Sequence, residues 1–127
     1  MKANILLIGS GITQDKMLLQ RLQEFTNTTL LNDSEKLIQM VKDHTPDLLV
    51  FEFSETWELD LQIIQSLKVL NSKIPIIVVD GGETKKAVIH SFRFGAKDYF
   101  KKPYKPLLLA ERVEALLKKK KKELLHY

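Results

Sequence analysis

Pro75-Ile76-Ile77-Val78-Val79-Asp80-Gly81-Gly82 is the stretch on which the fold turns. Its four β-branched residues in a row carry no polar interruption, the pattern of a strand buried on both faces, and the Asp-Gly-Gly that follows stops it. A strand covered on both sides belongs inside a parallel sheet with helices above and below.

The neighbouring segments repeat the alternation. Toward the C-terminus, Ala87, Val88, Ser91 and Phe92 fit a helix that Gly95 closes, and Asp98 to Lys101 reads as a short fifth strand. A last helix is expected from Pro106, with a stripe of Leu109, Val113, Leu116 and Leu117, and with Leu124 one heptad further on. Toward the N-terminus, Ile63, Leu67 and Leu70 stripe a third helix behind a third strand, Asp47 to Phe53. Ser34 is expected to cap a second helix that turns Leu37 and Val41 inward, after a weak strand from Thr28 to Leu31. Ile5-Leu6-Leu7-Ile8, ended by Gly9-Ser10-Gly11, precedes a first helix striped by Leu18, Leu22 and Phe25. Five strand–helix units in succession predict an α/β fold, a doubly wound five-stranded parallel sheet with helices on both faces. Ligands of such sheets gather at the carboxyl ends of the strands. That rule singles out Gly9 to Gly11, Glu52 to Thr56, Asp80 to Gly82 and Lys102-Pro103.

Composition narrows the function classes. A chain of 127 residues with 44% hydrophobic residues supports one domain with a real core. The absence of cysteine excludes disulfides, thiol nucleophiles and thiolate metal sites, and fits a reducing, cytoplasmic setting. No run approaches the ~18 apolar residues of a membrane span. The net charge of +4 is local: Lys118 to Lys122 hold five of the twenty basic residues beside the single acid Glu123. Residues 1–117 are therefore charge-balanced and form the expected domain, with 118–127 a basic extension of the last helix. The body offers no specific nucleic-acid surface.

Gly95-Ala96-Lys97-Asp98-Tyr99-Phe100-Lys101-Lys102-Pro103 resembles the fifth-strand segment of response-regulator receiver domains: Gly-Ala, two variable residues, an aromatic, two more, then Lys-Pro. Pro46 to Glu52 resembles the family's third strand, which ends in the phosphorylated aspartate. The resemblance spans the chain and implies a flavodoxin-like receiver fold in two-component signal transduction. In the family, phosphotransfer uses an acidic pair after strand 1 to hold a divalent cation, the acceptor aspartate, a Thr or Ser ending strand 4, and the lysine before proline. The cation and lysine neutralise phosphoryl oxygens while the acceptor is held in line.

Against that pattern, Gly9 and Ser10 stand at the acidic pair, Glu52 at the acceptor and Asp80 at the hydroxyl residue, while Lys102 matches. The resemblance thus implies an atypical member, a pseudo-receiver outside the phosphorelay, with no catalytic residue, metal or cofactor. Lys102 is expected to bridge Glu52, Asp80 or both, either imitating the contact of a phosphoryl group or keeping a former pocket satisfied. Tyr99 falls at the switch aromatic, expected fixed in one state. The face of helix 4, strand 5 and helix 5 would present Arg93, Phe94, Lys97, Tyr99 and Tyr104 to a protein partner, an effector or a second copy of the chain.

Two other readings stay open. A receiver could accept phosphate by an altered route. Alternatively, Gly9-Ser10-Gly11 after a strand, with Asp33 near the end of strand 2, partly matches a dinucleotide-binding loop, although Gln14 stands where the third glycine belongs. His44, His90 and His126 show no metal-site spacing, and Ser10 and Ser54 lack hydrolase partners. Trp57 is expected either to cap the Glu52 cluster or to cover the core edge. The lysine run could touch phosphates or a partner, or be a solvated terminus.

Overall fold

The computed structural model describes residues 2–82 and 85–125, with the side chains of Leu124 and Leu125 excepted. Five strands, β1 (Ala3–Ile8), β2 (Thr26–Leu31), β3 (Leu48–Glu52), β4 (Ile76–Asp80) and β5 (Asp98–Lys101), form one parallel sheet in the order β2-β1-β3-β4-β5. Five helices connect or follow them: α1 (Lys16–Gln23), α2 (Leu37–Asp43), α3 (Trp57–Leu70), α4 (Lys85–Arg93) and α5 (Pro106–Leu125). This is the flavodoxin-like strand order that the resemblance implies. The order reverses between β1 and β3, which opens the crevice where ligands of doubly wound sheets bind.

Side chains alternate across the sheet and build two cores. On one face Leu6, Ile8, Leu49, Phe51, Ile76 and Val78 pack against α2 and α3. On the other, Ile5, Leu7, Leu48, Val50, Ile77 and Val79 meet Leu18 and Leu22 of α1 and Leu109, Ala110 and Val113 of α5. Every residue of β3 is buried, and β4 is buried up to Val79, as unbroken apolar runs require.

Several local expectations shift. Ser34 does not cap α2. The helix begins at Leu37 with no side-chain cap, because the Ser34 carbonyl accepts from Leu37 N–H and Asp33 turns the chain by accepting from Glu35 N–H at 3.0 Å. The buried stripe of α3 is Leu61, Ile64 and Leu67, while Leu70 is exposed and Ile63 half-buried. In α4, Ala87 and Ser91 face inward and Phe92 is 47% exposed. Phe25 lies just beyond α1 yet packs on its core. The bounds of β5 and the start of α5 at Pro106 coincide with the sequence reading. Lys118 to Lys122 continue α5 without a break. The Leu124 side chain and His126 lie outside the described residues.

Candidate functional site

The carboxyl ends of β1, β3 and β4, with the loop after β5, meet at one pole of the sheet. Glu52, the last residue of β3, is only 7% exposed. Its Oε1 accepts from the backbone N–H of Gly11 at 2.8 Å and of Ile12 at 3.1 Å. Its Oε2 is ion-paired with Lys102 Nζ. Two amide dipoles and one ammonium thus neutralise a carboxylate that burial alone would penalise.

The β1 loop is shaped for this side chain. Gly9 has φ +139°, and a Cβ there would overlap the Cβ and Oε1 of Glu52. A Cβ on Gly11 would come 2.6 Å from Glu52 Oε2. The glycines therefore create the volume that the longer acid fills, and Gly9 also supplies a backbone conformation that L side chains avoid. The loop then closes into one tight helical turn, Ile12–Gln14, before Asp15 caps α1 by accepting from Leu18 N–H at 3.1 Å.

Lys102 reaches Glu52 and makes no bridge to the Asp80 carboxylate. It contacts Asp80 through the backbone only, its N–H donating to the Asp80 carbonyl at 2.7 Å. The Asp80 side chain takes a different partner: Tyr99 Oη donates to its Oδ2 at 2.6 Å. Adjacent parallel strands make this contact possible, with Val78 opposite Tyr99 and Asp80 opposite Lys101. Burial, then the hydrogen bond to Asp80 and its charge, push the Tyr99 phenol far above its ordinary pKa.

Two further polar ties escaped the sequence reading. Asp60, buried in the first turn of α3, accepts from Ser54 N–H at 2.7 Å and Ser54 Oγ at 2.9 Å, so it anchors the loop after Glu52. Desolvation raises its pKa against the lowering effect of those bonds. Tyr104 Oη donates to Asp15 Oδ2 at 2.8 Å, tying the β5–α5 loop to the start of α1. Tyr104 is thereby turned toward the α1 side and away from α4. Of the other residues on the expected partner face, Arg93 and Lys97 are exposed, while Phe94 is half-buried and meets His90 in a tilted ring contact with centroids 5.9 Å apart. Phe92, read from sequence as part of the α4 stripe, is exposed, as are Ile89 on α4 and Leu107 and Leu108 on α5, which were not singled out by sequence. The signal of those three was present: they are apolar residues of α4 and early α5 left outside the expected inward stripes.

A cleft of about 630 Å³ opens over the pole, lined by Ser10, Phe53, Ser54, Glu55, Trp57, Asp80, Gly81 and Lys102. Trp57 borders it while packing on the α2–α3 core. The donor set does not fit a divalent cation of the kind receiver chemistry uses. Gly9 and Ser10 bring no carboxylate, Glu52 is already engaged by two amides and an ammonium, and no group of three or more metal-ligating side chains occurs among the described residues.

The family model of the response regulator receiver domain matches residues 13–114. The chain belongs to this family. Receiver domains are signalling modules of two-component regulators. Among curated relatives, the transcriptional regulatory protein RprY of Bacteroides fragilis is 32% identical over 73 residues, 58% of this chain and 31% of that protein. The DNA-binding response regulator MtrA of Mycobacterium tuberculosis is 26% identical over 120 residues, 94% of this chain and 52% of that protein. The chain thus spans about half or less of the curated relatives it matches. A CheY-like receiver domain from Methanospirillum hungatei superposes with a TM-score of 0.84 at 19% identity, covering 97% of this chain and 99% of that one. An atypical orphan response regulator, described as having a phosphorylation-independent regulatory mechanism, superposes at 0.76 with 23% identity over 91% of this chain and 95% of its own. At these identities the structural likeness speaks for the fold.

In the loop that partly matches a dinucleotide motif, the amides a phosphate would meet already have a carboxylate partner. The amides of Gly11 and Ile12 are held by Glu52, and one Asp33 oxygen serves the turn before α2. Among the described residues no helix is long and apolar enough to cross a membrane.

Proposed function

We propose that this receiver domain is an atypical one that works without phosphorylation, as a non-enzymatic, cytoplasmic module that regulates an effector or protein partner by contact. The observation that carries the reading is the Glu52 carboxylate held by Gly11 N–H, Ile12 N–H and Lys102. It fills the pocket with a carboxyl group of the chain itself and engages the lysine that phosphoryl chemistry would need free. Glu52 also lies one methylene beyond an aspartate's reach, and a misplacement of about 1 Å costs a positioned reaction ~100-fold. The Asp80–Tyr99 bond supports a single fixed state of the switch aromatic, presented beside Arg93, Phe94 and Lys97. Residues 1–117 form the module on this reading, with 118–127 extending its last helix.

Amide NMR of the chain with magnesium and beryllofluoride, an acyl-phosphate mimic, tests the proposal. Unchanged signals for Glu52, Asp80, Tyr99 and Lys102 are the expected result. Saturable shifts confined to those residues would overturn it and restore phosphorylation by an altered route.

A further inference from the structure

The opposite pole of the sheet carries a second candidate site. At the amino ends of β1 and β3, a groove of about 600 Å³ runs between the chain entering β1, the end of α1 and the last turns of α5. Its floor is apolar, formed by Ala3, Phe25 and Leu117, and both large side chains are anchored in the α1–α5 core. Its rim is Lys2, Lys118, Lys120 and Lys121. Glu114, Leu117, Lys118 and Lys121 follow at helical spacing, so one stripe of α5 supplies a whole wall.

The two acids of the rim are already neutralised. Glu114 pairs with Arg21 at 3.3 Å and Lys118 at 3.1 Å, and Asp47 accepts from Asn4 N–H at 2.8 Å with Lys120 at 3.8 Å. Lys2 and Lys121 have no carboxylate partner among the described residues; Lys2 donates to the Gln23 carbonyl at 3.1 Å. The excess positive charge of the chain is thus brought to the lip of an apolar trough.

We propose that this groove docks an acidic peptide segment of a partner protein, an apolar side chain seated between Phe25 and Leu117 and flanking carboxylates paired with Lys2 and Lys121. The charge complementarity selects an acidic occupant. The apolar floor selects a peptide over nucleic acid, since a phosphate track needs a dense row of free cations, and a face of the Phe25 ring on which a base would stack is already covered by the Arg21 guanidinium, 5.1 Å from its centroid. The site lies away from Glu52 and from α4, so its occupancy is compatible with a partner on the α4–β5–α5 face.

Fluorescence anisotropy with a labelled peptide of about a dozen residues, glutamates on either side of a leucine pair, tests this. Binding to the full chain is expected, weakened about tenfold by the double variant Lys2→Glu, Lys121→Glu, which sits on exposed ammonium groups outside the core. Replacing the peptide's leucines by serine is expected to weaken it comparably, and amide shifts should centre on Ala3, Phe25 and Leu117. Equal binding of the serine peptide, shifts centred on Glu52 and Lys102, no binding at all, or tighter binding of single-stranded DNA or phosphatidylserine vesicles would each overturn the proposal.

Discussion

Glu52 and Asp80 end neighbouring parallel strands, yet the protein treats their charges in opposite ways. Glu52 is buried and compensated in full by two amides and an ammonium, so its charge is part of the architecture. Asp80 is partly exposed and spends its side chain on one phenol nineteen residues away. The first acid fixes the pocket; the second fixes the Tyr99 ring, which borders the face we propose for a partner. The two contacts share no side chain and are therefore separable by mutation, even though a single strand spacing divides them.

The largest effect expected is from Glu52→Ala. Removing the carboxylate orphans two loop amides and opens a cavity, a loss of about 3 kcal/mol in urea unfolding. A loss below about 1 kcal/mol would mean that water replaces the carboxylate and that the acid is no part of the framework. Gly11→Ala comes next, at about 2 kcal/mol, since its Cβ meets Glu52 Oε2. The shorter Glu52→Asp in the same chain should recover much of that loss, whereas additive losses would break the argument that the glycine makes room for the longer acid.

Asp80→Asn is the mildest change, about 1 kcal/mol for a weakened hydrogen bond. Its signature lies in the Tyr99 phenol. That phenol's folded pKa is raised by burial and by Asp80, so its contribution to stability is present below pH ~10 and is lost as pH climbs beyond it. Removing the Asp80 charge should move tyrosinate absorbance to lower pH and leave the Gly11 and Ile12 amide signals in place. Movement of those amides instead would show that the two acids act as one unit.

The same contrast explains what could be read in the sequence. β-Branched runs, Pro106 and the Lys-Pro pair delivered the sheet, the start of α5 and Lys102, because each is a local constraint on backbone or burial. Glu52 and Lys102 were legible as a pair once the receiver resemblance set their positions. The Gly11 and Ile12 donors were not, since a backbone amide has no residue signature and its aim depends on the loop. Lys102 was expected to bridge one or both of Glu52 and Asp80; it takes Glu52 alone, and the β4–β5 register gives Asp80 the Tyr99 phenol, which the sequence did not announce. Ser34 looked like a helix cap because the neighbouring Asp33 turn is chosen by competing hydrogen bonds. In α3, eight of the fourteen residues are apolar and spread around the helix, which left the inward face undetermined until packing chose Leu61, Ile64 and Leu67.

Helix α5 has a mechanical side as well. Its twenty residues make a rod about 30 Å long, seated at its base beside Tyr104, which is bolted to Asp15, and stiffened midway where Arg21 grips Glu114. A tilt of about 5° at that base would sweep the far end by roughly 2.6 Å over such a length. Such a sweep is opposed along the whole rod, because Leu109, Val113 and Leu116 are buried and Lys120 reaches back to the Asp47 carbonyl at 3.2 Å, so the helix is a clamped beam that holds the lysine pole at a set distance from the pocket.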